Sequence, residues 1–165
     1  MSRTFVTLAE VLETRGGPLL EDEVWSFLLG TTESLVDVSY KGTVILLMLS
    51  CSNLSVFCQM LVYSLGMTLY WSVDYHLPQN QPVQLSDHLN SLLVSMCEDL
   101  AHRRVNLNSI LESCESQHKA SLLPPPNRVI RQLVEDVIHE AVSVSECPGP
   151  LSLLDALSSR FELLP

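Results

Sequence analysis

The residues in this chain that come nearest to a catalytic motif are His102-Arg103-Arg104 and Ser109. In phosphoryl-transfer enzymes a His-Arg-Asp sequence supplies the aspartate that accepts a hydroxyl proton, and an asparagine follows it to bind a metal ion. Here Arg104 stands in the aspartate position and Ser109 in the asparagine position. Because a guanidinium cannot accept a proton from a hydroxyl, this pattern does not support that chemistry.

The other parts of a phosphoryl-transfer site are also missing from the sequence. The only lysines are Lys41 and Lys119, and neither lies in a strand of the Val-Ala-Ile-Lys type. Gly16-Gly17 is followed by Pro18, which predicts a turn rather than a phosphate-binding loop. The histidines have no paired nucleophile at a recognisable spacing. We therefore expect no enzyme activity and no catalytic residues.

The cysteines are five in number, and none of them forms a Cys-x-x-Cys pair. An odd number without paired spacing predicts free thiols rather than a disulfide framework, which fits a reducing, cytoplasmic compartment. Zinc sites usually combine closely spaced cysteines and histidines, and that spacing is absent. The sequence therefore predicts neither a metal site nor a cofactor.

The net charge of −10 sets limits on the kind of partner. An acidic chain repels nucleic-acid phosphates, so nucleic acid is disfavoured, whereas a basic peptide segment of a protein partner fits the charge. Two clusters of acids are candidates for a partner-binding surface: Glu21, Asp22 and Glu23, and Glu98 and Asp99.

These residues must be positioned by helices, according to the capping signals along the chain. Thr7 and Glu10 form a capping-box pattern, and the Gly16-Gly17-Pro18 sequence ends the helix that follows. We expect Pro18 to open a second helix that extends past Gly30. Further helices are predicted after caps at Ser86 and Asn106, from Asn127 through Val142, and from Leu151 to Phe161. At 165 residues, this gives one mainly α-helical domain with little or no sheet.

The middle of the chain is an uncharged run from Thr43 to Val73. Such a run must be buried, either in a protein core or in a bilayer, and residues 43–73 are long enough to cross about 30 Å of hydrocarbon. Val44 to Leu49 could be strand or helix by periodicity, and Leu54 to Trp71 favours a helix. Val44–Leu49 is a run of six consecutive apolar residues. If this run is exposed, it favours aggregation or a partly molten state of the chain.

Two sequence blocks resemble KIND domains, the kinase non-catalytic C-lobe domains. Leu8 to Leu19 is similar to the family pattern L-x-E-x-L-x-x-R-G-x-P-L, and an acidic turn and Trp25 follow it. The second block, Tyr63 to Trp71, resembles the buried central helix of the kinase C-lobe, where Gly66 permits close backbone packing.

The resemblance implies a kinase C-lobe-like fold, truncated here, that acts as a non-catalytic protein-interaction module or pseudokinase scaffold. It assigns structural roles to Trp25, Gly66, Trp71 and Arg104. In actin-nucleating members of the family an acidic surface binds a basic formin tail. In scaffolds with FERM and PDZ domains the domain works at epithelial membranes and junctions, which implies a cytoplasmic location at the cell cortex.

The chain departs from the family pattern in segment 42–60, which is shorter than its counterpart and does not resemble it. In the family, the glutamate that pairs with the counterpart of Arg104 lies in this region. Burial of an unpaired guanidinium costs roughly 3–5 kcal/mol. Two alternatives to an interaction module therefore stay open: a truncated gene-copy product without an evolved function, and a single-pass membrane-associated protein through residues 43–73.

Overall fold

The structure is a computed structural model that describes residues 5–49 and 54–145. Within these ranges the regular structure is helical and no β-strand occurs, which confirms the mainly α-helical prediction. The described helices are α1 (Leu8–Arg15), α2 (Glu21–Leu49), α3 (Leu54–Asp74), α4 (Asp87–Met96), α5 (Leu107–Ser121) and α6 (Pro126–Ser145).

Helix α1 has the predicted ends. The Thr7 hydroxyl accepts a hydrogen bond from the Glu10 amide at 3.3 Å, and the Glu10 carboxylate accepts one from the Thr7 amide at 2.8 Å. Gly16 ends the helix in the left-handed conformation, with φ of 68°, and its amide donates to the carbonyls of Leu12 and Glu13. Only glycine adopts this conformation without steric cost, so the chain turns sharply here.

Helix α2 begins at Glu21 rather than at Pro18. The Leu20 carbonyl accepts the amides of Glu23 and Val24, so Leu20 lies at the helix start, while Leu19 donates its amide to the Ser72 carbonyl at the end of α3. The helix then continues through Gly30 to Leu49, which places Val44–Leu49 in a helix and not in a strand.

The core forms where α2 packs against α3, α5 and α6. Trp25 is fully buried near the start of α2, and the two helices α2 and α6 approach closely at Gly30, where an added Cβ would lie 3.2 Å from Ile130 and from Pro126. Side chains from all six described helices and from Leu19 complete the core: Val11, Leu12, Leu19, Val24, Leu28, Leu29, Val62, Leu69, Val73, Leu89, Leu92, Leu93, Met96, Leu107, Ile110, Cys114, Leu133 and Val137.

The remaining caps follow the predictions with one exception. Ser86 and Asn106 accept the amides of Leu89 and Ser109 at 3.3 and 2.9 Å, as expected for helix N-caps. Helix α6 begins at Pro126, however, and Asn127 lies inside its first turn rather than capping it. Proline favours this position because the amide that it lacks has no helical partner there. The predicted helix Leu151–Phe161 lies outside the described residues.

The expectation that the uncharged run is buried throughout is wrong for α3. One face, with Val62, Leu69 and Val73, is buried, but Trp71 is 50% exposed and packs edge-to-face on Tyr75 at the surface. Trp71, to which the resemblance assigns a structural role, therefore lies at the surface of α3 and not in the core. The reason is helical geometry. Leu69 and Val73 each lie two residues from Trp71, which places Trp71 about 160° around the helix from both of them, on the opposite face.

Candidate protein-interaction surface

Helices α3 and α4 approach each other closely at Gly66. A Cβ added to this buried glycine would lie 2.7 Å from the Met96 Cβ and 3.0 Å from the Cys97 Sγ. Real Cβ atoms do not pack at such short distances, so only glycine permits this approach. The close packing fixes the end of α4, and therefore the residues that follow it, beside α3.

Arg104 holds the segment after α4 in place. Its Nε and Nη2 donate to the Glu98 carbonyl at 2.9 and 2.7 Å, and its Nη1 donates to the Gln59 carbonyl of α3 at 2.7 Å. The expectation of an unpaired guanidinium is therefore wrong. Backbone carbonyls take the place of the glutamate that the family resemblance implies, since any oxygen acceptor with suitable geometry can satisfy these donors.

The packed helices leave a groove of about 400 Å³ between α3 and α4. Met67 and Tyr70 of α3, with Val94 and Cys97 at the end of α4, give the groove its apolar lining. The rest of the lining comes from Glu98 and Asp99, whose backbone Arg104 binds. Asp99 is exposed and Glu98 is half-buried. The groove, called here the α3–α4 groove, thus combines an apolar floor with an acidic rim.

The acids at the start of α2 have a different environment. Glu23 forms a two-point ion pair with Arg15, with Nη2 and Oε1 2.6 Å apart, and it also accepts the Leu20 amide at 2.8 Å. The hydrogen bond with Glu23 raises the pKa of Arg15, although partial burial opposes this effect. Glu23 therefore joins α1 to α2, which gives Arg15 and Glu23 a structural role.

Glu21 also has partners within the chain. It accepts the Ser86 amide at 3.0 Å, the Ser86 hydroxyl, and the Trp25 indole N–H at 3.3 Å. Partial burial raises the pKa of this carboxyl, but the hydrogen bonds from Ser86 and Trp25 outweigh that effect, so the pKa lies below its usual value. Asp22, between these two acids, is exposed.

The two predicted acidic clusters do not form one surface. Glu21 contacts Ser86 at the start of α4, whereas Glu98 and Asp99 follow the end of that helix. A helix of 10 residues is about 15 Å long, and this length separates the clusters. Sequence reasoning missed the apolar floor of the groove, whose signal is the additional apolar face of α3 opposite its buried face.

The described residues contain no group of histidine, cysteine and acidic side chains that could hold a metal ion. Cys114 is buried, and burial raises the pKa of its thiol to about 12. The thiol is therefore protonated at neutral pH and poorly nucleophilic, because the thiolate is the reactive form.

Comparison with known proteins gives clear relatives. Tyrosine-protein phosphatase non-receptor type 13 from Homo sapiens is 35% identical over 97% of this chain, and the Mus musculus protein is 34% identical over 97%. FERM and PDZ domain-containing protein 2 from Mus musculus is 35% identical over 76% of the chain. No family model matches the sequence. The chain spans only 8% of the phosphatase and 12% of the FERM and PDZ protein.

The alignment lengths show that the relatives carry additional residues within the matched region. The alignment with the human phosphatase is 202 residues long, whereas the chain has 165, so at least 37 aligned positions have no residue in this chain. Sequence identity over nearly the whole chain and the helical fold nevertheless agree with the two sequence blocks at Leu8–Leu19 and Tyr63–Trp71. The chain therefore belongs to the KIND-like domains, which both relatives contain.

Proposed function

We propose that this chain is a non-catalytic protein-interaction module that binds a basic segment of a partner protein in the α3–α4 groove. The observation that supports it most is the fixed position of Glu98 and Asp99 beside the apolar floor at Met67 and Tyr70. Apolar contacts supply affinity in such a groove, and the acids select a partner that carries lysine or arginine.

Arg104 contributes by fixing the rim before the partner arrives. Its guanidinium binds the backbone carbonyls of Glu98 and Asp99, which fixes the backbone of both acidic residues. The Glu98 carboxylate also accepts the Leu100 amide at 3.5 Å within the same turn. A rim that is ordered in the free protein reduces the entropy lost on binding.

The relatives support a place for this module in scaffold proteins. One of them carries FERM and PDZ domains by name, and both are much longer than this chain. We infer from this relationship a cytoplasmic location at the cell cortex or at junctions. The relationship to a phosphatase does not extend to its activity, since the matched region is 8% of that protein.

The test uses synthetic peptides of equal length that differ in lysine and arginine content, with binding followed by fluorescence anisotropy. Glu98→Lys/Asp99→Lys should abolish binding of the basic peptides. The matched control Glu135→Lys/Glu140→Lys changes the net charge equally on exposed positions of α6 and should leave most of the affinity. Equal losses in both double variants, or equal binding of neutral peptides, would rule out the groove as the site.

A second candidate is membrane association through α3. The window Val56–Asp74 has the length and composition of a membrane span, with a mean hydropathy of 1.3, and only 28% of it is buried. Insertion would require the separation of Gly66 from Met96, which makes this candidate less favourable than the module. Extraction of cell membranes at alkaline carbonate pH would leave the protein in the pellet if α3 spans the bilayer.

A further inference from the structure

Helix α3 has a second apolar face that the described residues leave uncovered. Val56, Met60, Tyr63, Met67 and Tyr70 follow each other at alternating spacings of four and three residues. This spacing places them in one stripe along the helix, as at the contact positions of paired helices. Four of them are exposed, whereas Tyr63 is half-buried beneath the Arg104 guanidinium. The stripe, with the flanking residues Phe57 and Trp71, is called here the outer face of α3.

The outer face is large for an exposed apolar surface. Its exposed fractions are 61% for Val56, 52% for Phe57, 62% for Met60, 47% for Met67, 40% for Tyr70 and 50% for Trp71. These fractions correspond to roughly 600 Å² of apolar and aromatic surface, given about 150–250 Å² for a whole aromatic side chain. Patches above a few hundred Å² indicate an interaction surface, and a stable interface takes about 800 Å² from each partner.

We propose that the outer face of α3 binds the outer face of a second copy of this chain, in an antiparallel pair with two-fold symmetry. A self-complementary surface needs no opposite charges, and α3 itself carries no charged residue between Val56 and Trp71. The Arg104 guanidinium, which lies over Tyr63, donates to the carbonyls of Gln59 and Glu98. Two-fold pairing brings Val56 and Phe57 of one copy against Tyr70 and Trp71 of the other. Each copy needs to bury only a little surface beyond its outer face for the pair to reach the area of a stable interface.

Helix α3 has more apolar surface than the described helices around it cover. A helix with apolar residues on two faces needs packing partners on both of them. The relatives have at least 37 aligned residues without a counterpart here, so they have more sequence in the matched region from which to build a core. A second copy supplies the missing apolar surface in their place.

A lipid surface fits the outer face less well than a second copy. The inner face of α3 packs against α4 at Gly66, so the helix cannot insert without unfolding that contact. The net charge of −10, with Glu98 and Asp99 beside Met67 and Tyr70, also opposes approach to anionic lipids. The proposed dimer goes beyond the proposed function and shares Met67 and Tyr70 with the groove, so a basic partner and the second copy would compete.

Sedimentation of the full chain over a range of concentrations tests the dimer. We expect a reversible dimer whose dissociation constant rises at least about tenfold in Met60→Glu/Met67→Glu, since each interface would contain four buried carboxylates. The control Ile138→Glu/Val142→Glu places the same charges on α6, at side chains that are both 52% exposed, and should dimerise as the unmodified chain does. Dimerisation should persist at high salt, unlike the binding of a basic partner.

Two further variants test the geometry and guard against unfolding. Ser64 is exposed midway along the outer face, on the side of Phe57 and Trp71, so Ser64→Cys should form a disulfide between copies under mild oxidation, whereas Ser143→Cys on α6 should not. Ser64→Arg should give a helical monomer, because it removes no core contact. A monomeric wild-type chain, a dimer unchanged by Ser64→Arg, or binding of neutral lipid vesicles by monomers would each overturn the proposal.

Discussion

The guanidinium of Arg104 lies over the ring of Tyr63, 4.9 Å from the ring centroid. The ring covers one face of the guanidinium. The N–H groups at the edge of the guanidinium donate to the carbonyls of Gln59 and Glu98. Arg104 therefore connects two segments that are distant in sequence, the first half of α3 and the turn after α4. This connection holds the acidic rim beside the apolar floor of the α3–α4 groove.

Replacement of Arg104 by lysine should lower the free energy of unfolding by about 1–3 kcal/mol. A lysine ammonium cannot reach the carbonyls of Gln59 and Glu98 together while it stacks on Tyr63. Urea unfolding followed by far-UV dichroism would measure the change. Arg103→Lys is the control, since Arg103 is exposed, and a similar loss in both variants would contradict the role assigned to Arg104.

An alanine at position 66 should destabilise the chain by about 1–3 kcal/mol, because its Cβ would overlap Met96 and force α3 and α4 apart. The higher helix propensity of alanine offsets only about 1 kcal/mol of that cost. The control is Gly17→Ala, where an added Cβ meets no atom within 4 Å. Thermal unfolding compares the two variants, and a stabilised Gly66→Ala would show that the helices are not in close contact.

Thr32→Val should stabilise the chain by about 1 kcal/mol. The Thr32 side chain is fully buried, and within the described part of the chain its hydroxyl has no hydrogen-bond partner. Valine has nearly the same shape and removes the unsatisfied group. Ser26, equally buried, donates to the Asp22 carbonyl at 2.9 Å, so Ser26→Ala should instead be neutral or destabilising. A lower melting temperature for Thr32→Val would indicate a partner for this hydroxyl.

Stability should fall in acid in part because of Glu21. Its pKa in the folded chain lies below the ordinary value of 4.5, so its contribution is fully present above that pH and is lost as the pH falls through the lower folded value. Glu21→Gln should therefore flatten the acid side of a plot of unfolding free energy against pH. The matched variant Asp22→Asn removes the same charge at an exposed position of the same turn and controls for the change in net charge.

The parts of the fold that sequence predicts well are those that depend on neighbouring residues. The caps at Thr7, Ser86 and Asn106 require only a side chain and an amide three residues later, so their signals are local. The partners of Arg104 were not predictable in this way, because the Gln59 carbonyl is 45 residues distant and every residue has a carbonyl. The α3–α4 groove could not be predicted either, because its lining residues come from two segments that are distant in sequence.

The exposure of α3 could not be predicted because its polar stripe, Ser64, Thr68 and Ser72, is uncharged and the hydroxyls of Thr68 and Ser72 donate to carbonyls of the same helix. An uncharged helix gives no sequence signal of which face packs inward, and composition alone favoured full burial. Gly66 lies on the inner face of α3, but this is evident only from the structure, where Met96 packs against it. The behaviour expected for Val44–Leu49, aggregation or a partly molten state, stays a prediction.

Equilibrium unfolding of the whole chain, with near-UV and far-UV dichroism recorded together, tests most directly whether this short KIND-like domain has a packed core. The core around Trp25 and the satisfied guanidinium of Arg104 predict that both signals are lost in a single cooperative transition at the same urea concentration. Absence of a near-UV signal, together with binding of a hydrophobic dye in the absence of urea, would contradict this account and favour a gene-copy product with an incomplete core.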